Sequence, residues 1–137
     1  MKNNKIIIIL SLIASFAFLS CAKYEEGPGI SLLPKKTRIQ HKWKLAESVT
    51  AGGIVQTVAD DGDYIEFIKG GTITIMDGAT GTGYSGTWAF SADKKHLITA
   101  YEIIGLTFHD TNEIIKLKIN DLGLRASDGS KSYFIYK

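Results

Sequence analysis

From Trp43 onward, apolar residues return at every second position in short runs, and this alternation constrains the fold more than any other feature of the chain. Successive residues of a strand face opposite sides, so each run makes one strand with an apolar face and a wet one. Trp43 and Leu45 share a face, and Ile65 and Phe67 alternate with Tyr64 and Glu66. Ile73 and Ile75 alternate with threonines, while Tyr84, Trp88 and Phe90 share a parity with Gly86. Leu97, Thr99 and Tyr101 oppose Ile98 and Ala100, and Ile104, Leu106 and Phe108 oppose Thr107 and His109. The cleanest alternation sets Ile115, Leu117 and Ile119 against Lys116 and Lys118. Leu122 and Leu124 oppose Arg125, and a last run spans Ser132 to Lys137.

Turn signals separate these runs: Asp61-Gly62, Gly70-Gly71, Asp77 to Gly83, Asp93-Lys94-Lys95, Asp110-Thr111-Asn112, Asn120-Asp121 and Asp128-Gly129. Connections this short join antiparallel neighbours and cannot make parallel crossovers. Apart from one turn of helix expected at Thr37 to His41, no segment offers ten residues of helical period with caps. The expectation is an all-β fold, an antiparallel up-and-down meander of eight to ten strands. Such a meander must protect its two edges, and closing into a small barrel removes them.

The N-terminus is built differently. Lys2 and Lys5 precede Ile6 to Leu19, a 14-residue apolar run broken by Ser11 and Ser15. A bilayer core about 30 Å thick needs about 20 such residues to span it, so this run is too short to cross. Positive start, short apolar run and small residue at its end predict a secretory signal over residues 1–20. Cys21, the one cysteine of the sequence, follows directly, and an unpaired cysteine in an exported chain calls for an explanation. Phe18-Leu19-Ser20-Cys21 resembles the bacterial lipoprotein lipobox, in which a small residue precedes the cysteine. That resemblance implies cleavage before Cys21 and attachment of fatty-acyl chains, palmitate among them, to its sulfur and new amino group. Two or more chains anchor stably, at about 0.8 kcal/mol per buried methylene. Lys23-Tyr24-Glu25-Glu26 looks like the Lys-plus-acidic export tag of some surface lipoproteins, and Ala22 is compatible with outer-membrane sorting; a solvated linker explains the same residues. The implied address is the outer membrane, on its periplasmic or surface face.

Residues 21–36 read as lipidated cysteine and linker, with Pro28 and Pro34 stiffening a spacer that reaches about 3 Å per residue. Residues 37–137 form the expected domain. Loss of Lys2 and Lys5 leaves 14 of the 16 basic residues against 14 acidic ones, so the mature chain is neutral. With no basic stripe and no interleaved aromatics, nucleic-acid binding is set aside.

A turn, a tryptophan on the first strand and a meander, all on a lipoprotein stem, resemble the small bacterial lipocalin-like lipoproteins. Arg38-Ile39-Gln40-His41-Lys42-Trp43-Lys44-Leu45 is similar to the lipocalin opening, with His41 in place of its glycine. The resemblance implies that Trp43 plugs the barrel floor and that Arg125 packs on it. Gly86-Thr87-Trp88 repeats the Gly-x-Trp pattern in mid-meander.

Constellations for chemistry are weak. Asp60-Asp61-Gly62-Asp63 has neither the spacing nor the distal glutamate of a calcium loop and reads as a hairpin tip. Gly78, Gly81 and Gly83 lead into a strand and not into a helix, so they do not form a phosphate cradle. His41, His96 and His109 have no metal-motif spacing, and Tyr84-Ser85-Gly86 is not a nucleophile elbow. Glu47, Glu66 and Glu102 read as solvated strand residues. No catalytic residue, metal or cofactor is assigned, and the chain is not expected to be an enzyme. Trp43, Phe67, Trp88, Phe90, Tyr101, Phe108 and Tyr133 either line a cavity for a small apolar ligand or fill the core. An eight-stranded barrel has room for one or the other. A lipid-anchored carrier of a small hydrophobic molecule is therefore one reading. A protein- or glycan-interaction or inhibitor module with a filled core is the other, its protein partner unknown.

Overall fold

A computed structural model describes residues 24–25 and 32–137. The expected signal over residues 1–20 and the expected lipidation of Cys21 lie outside the described residues. A short helix α1 (Lys35–Ile39) precedes nine strands. They are β1 (Lys42–Val49), β2 (Val55–Thr57), β3 (Tyr64–Ile68), β4 (Thr72–Asp77), β5 (Thr82–Phe90), β6 (His96–Ile103), β7 (Leu106–Leu117), β8 (Asp121–Arg125) and β9 (Lys131–Tyr136). The helix begins two residues earlier than expected. Pro34 sits at its N-cap with φ −56°, and the Arg38 amide donates to the Pro34 carbonyl at 3.1 Å. Proline disfavours helical backbone at the residue before it, which sets the helix start at that point.

Every neighbouring pair of strands is antiparallel, and β1 also pairs with β9, so the expected barrel is closed. The seam runs from Trp43↔Tyr136 through Leu45↔Phe134 to Val49↔Lys131. β1 meets β3 only at Lys42↔Glu66 and Trp43↔Ile65. Above that point β1 pairs with β2, from Glu47↔Thr57 to Val49↔Val55. The ring therefore has eight strands, with β2 as an extra strand outside it. Because the meander runs up and down, one end carries α1 and the β3–β4, β5–β6 and β7–β8 turns. The opposite end carries the β4–β5, β6–β7 and β8–β9 loops, with the β2–β3 loop packed on the same side through Asp63 and Gly78.

The core gathers at the α1 end. Trp43, Ile39, Phe67, Trp88, Leu97, Leu117 and Leu122 are buried there. Both indoles are satisfied: Trp43 Nε1 donates to the Ile39 carbonyl at 2.9 Å and Trp88 Nε1 to the Ile68 carbonyl at 3.0 Å. Phe67 and Phe90 each meet Trp88 edge to face at 5.6 Å, the favoured aromatic geometry. Tyr24 belongs to the same cluster, so the stem expected as a spacer contributes a side chain to the core. The Tyr24 hydroxyl donates to the Lys94 carbonyl at 3.1 Å, and burial pushes its pKa up to about 12 despite the opposing pull of Arg38.

Three expectations are corrected. Arg125 does not pack on Trp43; it lies opposite Leu122 and Leu124 in parity, and its guanidinium pairs with Glu113 at 2.9 Å and with Glu25. Among the described residues the buried arginine is Arg38, whose Nη1 donates to the Leu117 carbonyl while its Nε finds no acceptor there. Second, the Ile115-Leu117-Ile119 alternation breaks at a bulge in β7, between Ile114 and Lys116. A bulge adds one residue and resets the faces. Ile114 and Leu117 enter the core cluster, and Ile119 is exposed in the following turn. Third, Asp110-Thr111-Asn112 is not a turn but the middle of β7. The turn falls at Ile104-Gly105, both in the left-handed region with φ +52° and +74°. Two-residue hairpin loops demand that conformation and prefer Asn-Gly there, so the signal was hidden by a β-branched residue.

Candidate ligand-binding site

Above the aromatic floor the barrel is not filled. A cavity of about 150 Å³ opens toward the β6–β7 end. Its wall is mostly apolar: Ile65 and Phe67 from β3, Ile73 and Ile75 from β4, Leu97 from β6, Leu124 from β8 and Phe134 from β9. Polar groups sit toward the mouth, namely Thr99, Tyr101, Asp110, Asn112 and Ser132. The register explains the grouping. Leu97↔Asn112, Thr99↔Asp110 and Tyr101↔Phe108 place these six residues in opposed pairs on the inner face of β6 and β7. The Tyr101 hydroxyl donates to Asp110 Oδ2 at 3.0 Å. Burial raises the Tyr101 pKa, and the hydrogen bond and charge of Asp110 raise it further, so the phenol stays protonated and remains a donor.

A second cavity of about 210 Å³ occupies the gap where β1 leaves β3. It is lined by Trp43, Leu45, Tyr64 and Met76 and shares Ile65, Ile75 and Phe134 as walls with the first. Lys44 on β1 reaches across to Asp60 in the β2–β3 loop at 2.7 Å. That contact holds the Asp60 carboxyl below the usual carboxylate range, with the Gly62 amide as a second donor.

The aromatic residues singled out from the sequence divide into three groups. Trp43, Phe67 and Trp88 are buried in the floor, and Phe90 packs partly buried against it. Phe67 also lines the cavity from below, and Tyr101 lines it at the mouth. Phe108 and Tyr133 do neither. Phe108 is 42% exposed and stacks on Tyr101 at 5.6 Å beyond the rim. It shares the inner face, but β6 and β7 extend past the barrel wall there. Tyr133 lies between Ser132 and Phe134, which both line the cavity, so alternation turns it to the outer face, beside Lys116. Sequence reasoning missed Asp110, Asn112 and Ser132. The parity of Phe108, Asp110 and Asn112 was the available signal, and polar composition masked it.

The carboxylates of the Asp60–Asp63 loop are used locally. Asp60 and Asp61 accept from the Gly62 and Asp63 amides at 3.3 and 3.1 Å, and Asp63 accepts from the Gly78 amide at 2.7 Å. Among the described residues no three His, Cys, Asp or Glu side chains converge on a metal-sized site.

Solved structures place this architecture. A lipocalin-like protein from Bacteroides uniformis superposes with a TM-score of 0.58 at 18% identity, covering 73% of this chain and 99% of that one. The fold is a lipocalin-like barrel. An uncharacterized protein from Bacteroides eggerthii matches with a TM-score of 0.57 at 17% identity, over 72% of this chain and 99% of that one. A protein from Burkholderia xenovorans matches with a TM-score of 0.50 at 12% identity, over 84% and 97%. No protein-family model matches the sequence, and a comparison with curated proteins finds no match. At these identities the likeness concerns the lipocalin-like fold alone, and the cavity has to be read from its own residues.

Proposed function

We propose that this is an exported lipoprotein, anchored to the outer membrane through Cys21, whose lipocalin-like barrel binds one small, mostly apolar ligand. The observation that carries the binding reading is the cavity of about 150 Å³ with its hydrogen-bonded Tyr101–Asp110 pair at the mouth. An apolar wall with a few convergent polar groups is the usual build of a small-molecule site. A volume near 150 Å³ accommodates about one small ring, so a compact ligand is favoured over a long acyl chain. Tyr101, Asp110 and Asn112 would orient a polar substituent at the rim.

The test is native mass spectrometry of the protein purified gently from its own cell envelope. An adduct that persists in Leu106→Ser and is lost in Ala126→Phe, which fills the cavity rim, supports the carrier. An adduct indifferent to Ala126→Phe sinks it. A second reading, an interaction module for a protein or glycan, is favoured by the exposed apolar tip of Ile104, Leu106 and Phe108, with Ile104 94% exposed. Capture of one envelope partner that Leu106→Ser abolishes would move the function to that tip.

A further inference from the structure

The two ends of the barrel carry opposite charge, although the mature chain is neutral overall. The exposed lysines Lys36, Lys69, Lys94, Lys95 and Lys118, with the partly buried Lys35, belong to α1 and the turns at the floor. Their acidic neighbours among the described residues are Asp93, Asp121 and Glu25, which follows the docked Tyr24 and pairs with Arg125; the Asp93 carboxylate already accepts from the Ser91 hydroxyl at 2.6 Å and the Lys95 amide at 3.0 Å. The other end holds Asp60, Asp61, Asp63, Asp77, Glu102 and Asp128, against Lys131, Lys44 paired with Asp60, and Lys137, whose Nζ donates to the Gly62 carbonyl at 3.0 Å.

The floor also exposes aliphatic side chains next to its lysines. Leu32 is 98% and Leu33 42% exposed just before Lys35 and Lys36; Ile68 and Ile119 are exposed beside Lys69 and Lys118. Aliphatic groups interleaved with lysines suit the headgroup region of a bilayer, where the apolar part inserts and the ammonium stays with phosphate. The stem fixes the distance. Tyr24 is buried against the floor, bonded to the Lys94 carbonyl and covered by Lys35 Nζ at 4.4 Å from its ring centroid. Three residue steps separate it from Cys21, a reach of at most about 10 Å.

We infer that the floor end of the barrel lies on an anionic phospholipid surface, with Leu32, Ile68 and Ile119 at headgroup depth and the floor lysines on lipid phosphates. The inference rests on the anchoring reading above. It turns the acidic mouth, with Tyr101 and Asp110, away from the membrane. β6 rises about 3.3 Å per residue from the lipid side to the Ile104 tip, so the mouth stands clear of the headgroups.

The experiment uses the full chain, lipidated in a Gram-negative host and reconstituted into phosphatidylethanolamine vesicles containing one-quarter phosphatidylglycerol. Intact mass and flotation report anchoring. Single cysteines at Leu32, Ile119 and Ile104, all exposed, carry an environment-sensitive dye, because the Cys21 sulfur is acylated. Lipid-borne quenchers should quench Leu32→Cys and Ile119→Cys severalfold more than Ile104→Cys. Changing Lys94, Lys95 and Lys118 to Glu should remove most of that difference. Equal quenching at all three positions, or stronger quenching at Ile104→Cys, in a protein that floats overturns the orientation and leaves anchoring intact. A chain without acyl mass that fails to float overturns anchoring and the orientation with it.

Discussion

The floor and the mouth of this barrel are built from the same strands by different chemistry. At the floor, two tryptophans, two phenylalanines and Ile39 interlock, and both indole N–H groups find carbonyls. At the mouth, the inner face passes from Leu97 through Thr99 to Tyr101 and across to Asp110 and Asn112. Tyr101 and Asp110 bond to one another there, and the interior above the floor is left open. Packing is therefore concentrated at one end and the open cavity at the other, and perturbations of the two ends should have separable effects.

The largest expected effect is at the floor. Trp43→Ala removes a fully buried indole and its bond to Ile39. It should cost about 3–5 kcal/mol in urea unfolding, and the contrast between the ends fails if the loss stays below about 1 kcal/mol. Gly86→Ala should come next. A Cβ there would overlap the Ala100 carbonyl oxygen and press on Tyr101 Cα at 2.8 Å. Overpacking of this kind costs about 1–3 kcal/mol, read as a lower thermal midpoint with the cavity wall at Tyr101 displaced. At the mouth, Tyr101→Phe removes one hydrogen bond, so it should cost only about 0.5–1.5 kcal/mol in stability. Its larger consequence should be weakened ligand retention, the reverse of the pattern at the floor. Smallest of all, Ile104→Asn relieves a β-branched residue at φ +52° and should stabilise by about 1 kcal/mol. Unchanged or lower stability would show that the Ile104 side chain is held by contacts at the tip.

Alkaline titration probes the docking of the stem on the floor. Tyr24 titrates near 12 in the folded protein against about 10 when unfolded. The unfolded chain loses its proton first, so this residue's contribution is intact below pH 10 and is lost as pH climbs through 12. Phenolate absorbance should show late-titrating tyrosines, Tyr24 and the raised Tyr101 among them, and Tyr24→Phe should remove one of these steps. A spectrum unchanged by that substitution would mean that the stem is not docked on the floor.

The floor was the more legible half. Alternation of large apolar residues is a strong signal, and it located Trp43, Phe67, Trp88, Leu97 and Leu122 on inner faces. The mouth was misread because its inner residues are polar: Asp110 and Asn112 have turn composition inside a 12-residue strand. Phe108 was placed inside on correct parity, but parity cannot tell how far β6 and β7 run past the wall. The β7 bulge was invisible for a similar reason, since Ile114 and Ile115 are equally apolar and either register satisfies the pattern. Tyr24 was lost to its surroundings, as a buried aromatic in a polar tetrapeptide has no period to betray it.

The seam between β1 and β9 has a consequence for timing. Trp43 pairs with Tyr136, with the seven other strands lying between them in sequence. Tyr24 likewise waits for a partner 70 residues away. Contacts of such long range form late, because the intervening chain must surrender its freedom before they yield anything. A chain threaded N-terminus first through a translocation channel would thus keep its stem accessible to processing enzymes and its barrel unlatched until β9 had emerged.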